Sequence, residues 1–103
     1  MKNDENIVLF ARLKVKKEAV ERARKAALAI VEPSRAENGC INYDFHQAID
    51  EETVFLWHET WTSQEAIDAH AASQHFKEFS EAIKDITDEP LRVILAKMVS
   101  EKA

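Results

Sequence analysis

Residues 40–61 read CINYDFHQAIDEETVFLWHETW, and this stretch decides the fold because it describes two strands joined by a turn. Apolar and polar side chains alternate from residue 40 to 47, with the period of two that is typical of a strand with one buried face. The acidic residues 50–52 mark a turn, and residues 53–61 then form a second strand. The sequence therefore predicts an antiparallel hairpin in the middle of the chain.

Upstream of the hairpin, the pattern predicts a strand followed by a helix. Residues 7–15 alternate in the manner of a strand, and residues 16–31 place apolar side chains at helical spacing. Pro33 is expected to end or kink this helix because it lacks a backbone N–H. Gly39, the only glycine of the chain, is predicted to be a left-handed helix stop before the hairpin.

Downstream of the hairpin, two serines indicate where helical segments begin. Ser63 and Ser73 are both expected to be N-caps, and the helix that follows Ser73 carries an apolar face. Pro90 is expected to precede a final strand over residues 91–99.

The resulting order is β-α-β-β-α-β, which predicts a ferredoxin-like α+β fold with a four-stranded antiparallel sheet and both helices on one side. The first and last strands are nevertheless apolar on both faces, with Phe10 and Ile94 on the second face. A sheet with one solvated face does not have this pattern. We therefore expect a homodimer through the helix-free sheet face, in which two sheets form a barrel-like core.

Length, charge and cysteine content limit the protein class. A chain of 103 residues is expected to form a single domain over residues 1–103. The net charge of −5 and the scattered basic residues argue against nucleic acid as a partner. The sequence has no membrane-spanning apolar run, residues 1–6 do not resemble a signal peptide, and Cys40 is the single cysteine. A cytoplasmic location is therefore expected.

The segment from Glu59 to Phe79 contains the main functional candidates. It mixes the polar side chains of Glu59, His70 and His75 with large apolar ones on faces that the pattern turns inward. A carboxylate on an aromatic face is costly unless it is paired or its pKa is raised. This mixture predicts a pocket for a small molecule.

Each candidate also has a purely structural interpretation. His75, in the first turn of a helix, is either a neutral general base or a helix cap, and His70 is either a pocket residue or a satisfied core histidine. Glu59 either acts in the pocket or forms a structural ion pair with Arg12 or Arg35. Tyr43 either contributes its phenol or is a core aromatic residue with one hydrogen bond.

The sequence motifs predict neither a metal site nor a bound cofactor. The four histidines do not form a pair four residues apart with an intervening glutamate, and a single cysteine cannot build a thiolate cage. A glycine-rich phosphate loop is also missing, since Gly39 stands alone.

Three stretches together resemble the antibiotic biosynthesis monooxygenase family, which includes small quinol monooxygenases. They are residues 33–47, Glu59-Thr60-Trp61 and residues 68–76, in the family's order and spacing. The resemblance implies a dimeric α+β barrel of ferredoxin-like topology. Haem degradation, known in a related branch, is not expected, because the positions that match its key residues hold Ala11, His70 and Ser80.

The resemblance implies a cofactor-independent monooxygenase that oxidises a small electron-rich aromatic substrate, such as a quinol, phenol or anthrone, with dioxygen. On this interpretation His75 is the base, and a second polar group positions the substrate oxygen. The candidates for that second group are His70, Tyr43 and Glu59, and the expected substrate-binding residues are Trp61, Phe76, Phe79 and Arg12.

Two other functions remain open at this stage. The first is a proton-transfer isomerase of a small hydroxy-ketone, whose phosphorylated substrate would favour Arg12, Arg35 and Lys77 at the pocket mouth. The second is a dimer that binds a small ligand without catalysis. Fold-level likeness alone does not choose among the three functions.

Overall fold

The computed structural model describes residues 6–100, in which four strands form one sheet. The strands are β1 (Ile7–Val15), β2 (Cys40–Gln47), β3 (Val54–Trp61) and β4 (Thr87–Ala96). Their order in the sheet is β2-β3-β1-β4, and all neighbouring strands are antiparallel. This arrangement confirms the predicted ferredoxin-like α+β fold. Most of the segment tested for a signal peptide, residues 1–5, lies outside the described residues.

Four α-helices lie within the described residues: α1 (Val20–Ala29), α2 (Val31–Arg35), α3 (Gln64–Ala71) and α4 (Gln74–Ile83). A 3₁₀ turn, Lys17–Ala19, precedes α1, so the predicted helix over residues 16–31 begins with a tighter turn. The helix breaks at Ile30 because Pro33 has no N–H for the carbonyl of Ala29. None of these helices has the length and apolar character that a membrane span requires.

Both predicted N-caps are confirmed. The side chain of Ser63 accepts a hydrogen bond from the backbone N–H of Ala66, and that of Ser73 accepts one from the N–H of Phe76. The Ser73 hydroxyl also donates to the carbonyl of His70 at 2.7 Å. Ser73 therefore fixes the turn between α3 and α4, where two candidate histidines lie.

The predicted bounds of the last strand are wrong. The strand begins at Thr87, which pairs with Val15, and it ends at Ala96 rather than at residue 99. Pro90 lies inside the strand, where the register with β1 shifts. A proline is tolerated there because β4 is an edge strand and a bulge leaves one residue without a ladder partner.

The two faces of the sheet differ in what covers them. On the helix side, β1 and β3 contribute the buried core residues Leu13 and Phe55, each 1% exposed. On the opposite side, Phe10 is 48% exposed and its β4 partner Ile94 is 61% exposed. The described core thus lies between the sheet and the helices, whereas large apolar side chains remain uncovered on the helix-free face.

Candidate active site

A cavity of about 150 Å³ lies between the helix side of the sheet and the helices α3 and α4. Most of its wall is aliphatic or aromatic, and its polar members are Tyr43, Glu59 and His70. The lining residues are Leu9, Ala11, Tyr43, Trp57, Glu59, Ile67, His70, Ala71, Phe76, Phe79, Leu91 and Val93. A concave apolar site with a few convergent polar groups is the usual form of a small-molecule site.

Glu37 joins the two histidines of the helical segment. Its Oε2 atom lies 2.7 Å from Nδ1 of His70 and 2.6 Å from Nε2 of His75. The side chains of Glu37 and His70 are 14% and 6% exposed, so this contact is largely shielded from water. An ionised carboxylate only accepts hydrogen bonds, and both ring nitrogens that face it therefore carry a hydrogen.

Gly39 sets the chain path that brings Glu37 to this position. Its φ of +88° is in the left-handed region, as the sequence predicts for the stop before β2. A Cβ at this position would lie 2.7 Å from Cβ of Ala66 and 2.8 Å from Oγ1 of Thr62. A side chain at residue 39 would thus push against the start of α3 and disturb the turn that carries Glu37.

His70 is both the polar wall of the cavity and the partner of Glu37. Its ring packs against Trp61, with centroids 4.8 Å apart, and against Phe76 at 5.2 Å. Within residues 6–100, Nε2 of His70 has no hydrogen-bond partner. Nδ1 is directed to Glu37, which does not line the cavity, so Nε2 is the ring nitrogen of His70 that is left for a ligand in the cavity.

Glu59 is a buried carboxyl group on β3 that shares the cavity with His70. Its Oε1 accepts a hydrogen bond of 2.9 Å from Nε1 of Trp61, and its residue is only 4% exposed. Burial raises the pKa of Glu59 to about 7, with a further contribution from the charge of Glu37, while the Trp61 hydrogen bond opposes the rise. Near pH 7 this group can therefore hold or release a proton.

Tyr43 places a phenol in the same wall and is 2% exposed. Burial, followed by the charge of Glu59, raises the pKa of Tyr43 well above its usual value. The phenol therefore keeps its proton at neutral pH, and it can donate a hydrogen bond to a substrate oxygen.

The structure brings together five of the predicted site residues: Tyr43, Glu59, His70, Phe76 and Phe79 all line the cavity. Three others do not line it. Trp61 is fully buried behind Glu59 and His70, and His75 lies behind Glu37.

The third exception is Arg12. It lies on the helix-free side of β1, where it pairs with Glu89 at 2.9 Å. The predicted pairing of Glu59 with Arg12 or Arg35 is absent among the described ion pairs, because Arg35 bonds to Glu32 and Asp44 instead. Alternation along a strand explains the Arg12 result, since an even-numbered residue of β1 cannot share a face with Leu9 and Ala11.

Glu37 is the residue that sequence reasoning missed. It is 33 residues from His70 and 38 from His75, so no local spacing connects them. One weak signal existed. Glu37 follows the C-terminus of α2, where the helix dipole disfavours an acidic side chain. An acidic residue at this place therefore needs a partner that compensates its charge.

Glu37, His70 and His75 also form a group with metal-ligating character. One oxygen and two ring nitrogens lie within 4.8 Å of one another. The sequence motifs pointed to no such group, because its members come from the turn before β2 and from the two helices α3 and α4. Two imidazoles and a carboxylate are common ligands of zinc and other transition metals.

The chain matches the family model described as antibiotic biosynthesis monooxygenase over residues 6–82. The chain belongs to this family. This match confirms the resemblance noted in the sequence. The candidate site therefore lies in a member of a family that is described as monooxygenases.

Two relatives by sequence and one solved structure are similar to the chain. YcnE of Bacillus subtilis, whose name assigns it to the monooxygenases provisionally, is 36% identical over 85% of this chain and 93% of its own length. An uncharacterized protein of Synechocystis sp. is 34% identical over 92% of this chain, and the chain spans 65% of that relative's length. A Nitrosomonas europaea structure with the family's name has a TM-score of 0.90 at 20% identity, covering 100% of this chain and 99% of its own, and shows the shared fold.

Proposed function

We propose that this protein is a cofactor-independent monooxygenase that oxidises a small electron-rich aromatic substrate of the quinol or phenol type. Loss of a proton gives an anion that passes an electron to dioxygen, and the two radicals then combine at a ring carbon. One oxygen atom stays on the substrate and the other leaves as water. A quinol and dioxygen thus give a hydroxyquinone and water, with atoms and electrons balanced.

The observation that carries this proposal is the Glu37–His70 pair at the cavity wall. Because Nδ1 of His70 donates to Glu37, the lone pair of the neutral ring is on Nε2, which is the nitrogen left for a substrate in the cavity that His70 lines. The carboxylate also stabilises the imidazolium that forms when His70 takes a proton. We therefore assign the base to His70 rather than to His75, which was the base expected from the sequence.

Tyr43 and Glu59 are the candidates for holding the substrate oxygen. Tyr43 keeps its proton at neutral pH, and Glu59, whose pKa is raised to about 7, is partly protonated there. Both therefore have a hydrogen to donate to the phenolate oxygen that develops during deprotonation. The surrounding wall is mostly apolar, and an apolar setting strengthens these hydrogen bonds.

The size of the cavity favours a substrate with one aromatic ring. An apolar cavity of about 150 Å³ in another protein is known to hold benzene, and the cavity here has a volume of about 150 Å³. Phe76 and Phe79 offer aromatic faces to such a ring. Of the substrates considered, a quinol or simple phenol fits better than a three-ring anthrone.

We further propose that the protein acts as a homodimer through the helix-free sheet face. Three large apolar side chains on this face are exposed: Phe10 at 48%, Leu56 at 38% and Ile94 at 61%. Phe10 and Ile94 are direct partners in the β1–β4 pairing, so they form one continuous patch. A second copy of the same patch would cover it by two-fold symmetry.

An oxygen-electrode screen of single-ring quinols tests the function. We expect substrate-dependent oxygen uptake by the purified protein, one hydroxyquinone formed per dioxygen, and loss of that uptake in His70→Ala. The matched control is His46→Ala, which changes an exposed histidine and should behave as the parent. Equal turnover under nitrogen would contradict the proposal, as would full activity of a folded His70→Ala protein.

A proton-transfer isomerase is the second candidate, because two groups able to exchange protons, Glu59 and His70, line one cavity. A phosphorylated substrate is not supported, since neither a lysine nor an arginine is among the described lining residues. Of the predicted mouth residues, Arg12 and Arg35 are engaged in ion pairs, and Lys77 lies at a separate surface depression on α4. Turnover that continues without oxygen would favour this isomerase.

A further inference from the structure

Behind the cavity wall, Glu37, His70 and His75 point three ligand atoms at one place. Oε2 of Glu37 is 2.6–2.7 Å from both ring nitrogens, and the three atoms lie within 4.8 Å of one another. The side chains of His75 and Glu37 are 21% and 14% exposed, so the group is in partial contact with solvent on the side of His75. Neither residue lines the cavity.

We propose that these three side chains form a binding site for a divalent transition-metal ion such as Zn²⁺, and that the bound ion switches off His70 as a base. The first half, the binding of the ion, depends only on the three ligand atoms of Glu37, His70 and His75. The second half rests on the proposed function, in which Nε2 of His70 removes the substrate proton.

The donor set selects the type of ion. Imidazole nitrogens suit zinc and its first-row neighbours, whereas magnesium and calcium prefer oxygen ligands. Three protein ligands leave room for a water molecule in a tetrahedral zinc site.

The side chains need to move only slightly to accept the ion. With metal–ligand distances of about 2.0–2.2 Å, neighbouring ligands in a tetrahedron are roughly 3.3–3.5 Å apart. The two N···O contacts of 2.6 and 2.7 Å must therefore open by less than 1 Å, and the two ring nitrogens, which lie within 4.8 Å of each other, must come to the same spacing. Rotation of the Glu37 side chain is sufficient to open the two N···O contacts, so the turn between α2 and β2 need not change.

Ion binding and base action compete for the same imidazole ring. Without the ion, Nδ1 of His70 carries the hydrogen that Glu37 accepts, and Nε2 holds the free lone pair. An ion on Nδ1 uses the lone pair of that atom, so the hydrogen of the neutral ring must sit on Nε2. His70 then presents a donor to the cavity and can no longer take a proton there.

Metal titration of the metal-free protein tests the binding half. We expect one Co²⁺ per chain, with the visible absorption of a four- or five-coordinate ion, and displacement of that ion by Zn²⁺. Glu37→Gln and His75→Ala should weaken binding by more than the roughly 10-fold to 100-fold that loss of an outer-shell group costs. His46→Ala is the matched control for binding to exposed histidines. Unchanged affinity in both ligand variants, or no Co²⁺ absorption at all, overturns the site.

Two readouts test the switch. Long-range ¹H–¹⁵N spectra should show the His70 hydrogen on Nδ1 without metal and on Nε2 with Zn²⁺, and this result needs no substrate. Oxygen uptake should fall in proportion to Zn²⁺ occupancy in the parent and in His46→Ala, and the ratio of inhibited to uninhibited rate should return towards one in His75→Ala. If Zn²⁺ binds while the His70 tautomer stays the same, the switch is wrong. If the tautomer changes but no substrate is oxidised, the proposed function fails and the metal site stands.

Discussion

Glu37 and His70 are joined by a 2.7 Å contact between Oε2 and Nδ1, although 33 residues separate them in the chain. The contact fixes the tautomer of a histidine that forms the wall of an aromatic cavity. A carboxylate that orients a histidine in this way is a common arrangement around catalytic bases.

Replacing the carboxylate with an amide should slow the reaction more than it weakens substrate binding. In Glu37→Gln the side chain keeps its size, but it loses the charge that stabilises the His70 imidazolium. We expect kcat to fall by about 10²-fold to 10⁴-fold with little change in KM, because Glu37 does not line the cavity. Steady-state oxygen uptake measures both constants. A rise in KM at constant kcat would instead indicate a role in substrate binding.

The two histidines that contact Glu37 should differ in importance. His70 lines the cavity and His75 does not, so His70→Ala should abolish oxygen uptake while His75→Ala should reduce it to a smaller extent by loosening Glu37. Circular dichroism checks that both variants fold, which matters because His70 is buried and its loss leaves a void. A larger loss of oxygen uptake in His75→Ala than in His70→Ala would indicate that His75 is the base.

Filling the cavity should exclude substrate without harming the fold. Ala71 and its neighbour Ala72 are both exposed at the end of α3, but only Ala71 lines the cavity. Ala71→Leu should raise KM for a single-ring quinol by roughly 5-fold to 150-fold, which corresponds to a loss of about 1–3 kcal/mol of binding free energy. Ala72→Leu is the matched control. Equal kinetics for the two variants would place the substrate elsewhere.

The predicted dimer can be tested on the uncovered face of the sheet. Phe10→Lys places a charge in the apolar patch of the helix-free face, and we expect light scattering to show a monomer. Leu28→Lys is the control, because Leu28 is similarly exposed at 54% but lies on α1, on the other side of the sheet. A parent protein that is itself monomeric would remove the basis for the dimer proposal.

Local patterns made most of the fold predictable. The period-two alternation located the hairpin to within one residue, and the serine caps were correct because a cap depends only on its own turn. The limits of β4 were not predictable in this way. Whether a strand tolerates Pro90 depends on its place at the sheet edge, which is a property of the tertiary fold.

The candidate site was predictable only in part, for the same reason. His70, Glu59 and Tyr43 could be selected because each is a polar side chain on an inward face of its own element. The assembly around Glu37 could not, because its three members meet only after the turns at Gly39 and Ser73 have formed. The relative positions of distant residues decide which histidine faces the cavity.

Because the pKa of Glu59 is raised by burial, the stability of the folded protein should fall as pH rises. The carboxyl has a pKa of about 7 in the folded protein against 4.5 when it is not perturbed. Below pH 4.5 the Glu59 carboxyl is protonated in both the folded and the unfolded state, so its burial costs no free energy for removing a charge from water. Between pH 4.5 and 7 the folded state holds more protons than the unfolded state, so the free energy of unfolding falls as pH rises.

Glu59→Gln isolates this contribution, because other titrating groups cancel when the variant is compared with the parent. The amide side chain of the variant keeps an oxygen that can accept the Trp61 hydrogen bond, and it cannot ionise. Relative to the parent, the variant should therefore become more stable as pH rises from 5 to 8, by on the order of 3 kcal/mol at most, since each unit of pKa difference corresponds to about 1.4 kcal/mol. Urea unfolding at several pH values measures the difference. A constant difference between pH 5 and 8 would mean that water or a partner charge keeps the Glu59 carboxylate ionised, and Glu59 could then not donate a proton to a substrate oxygen.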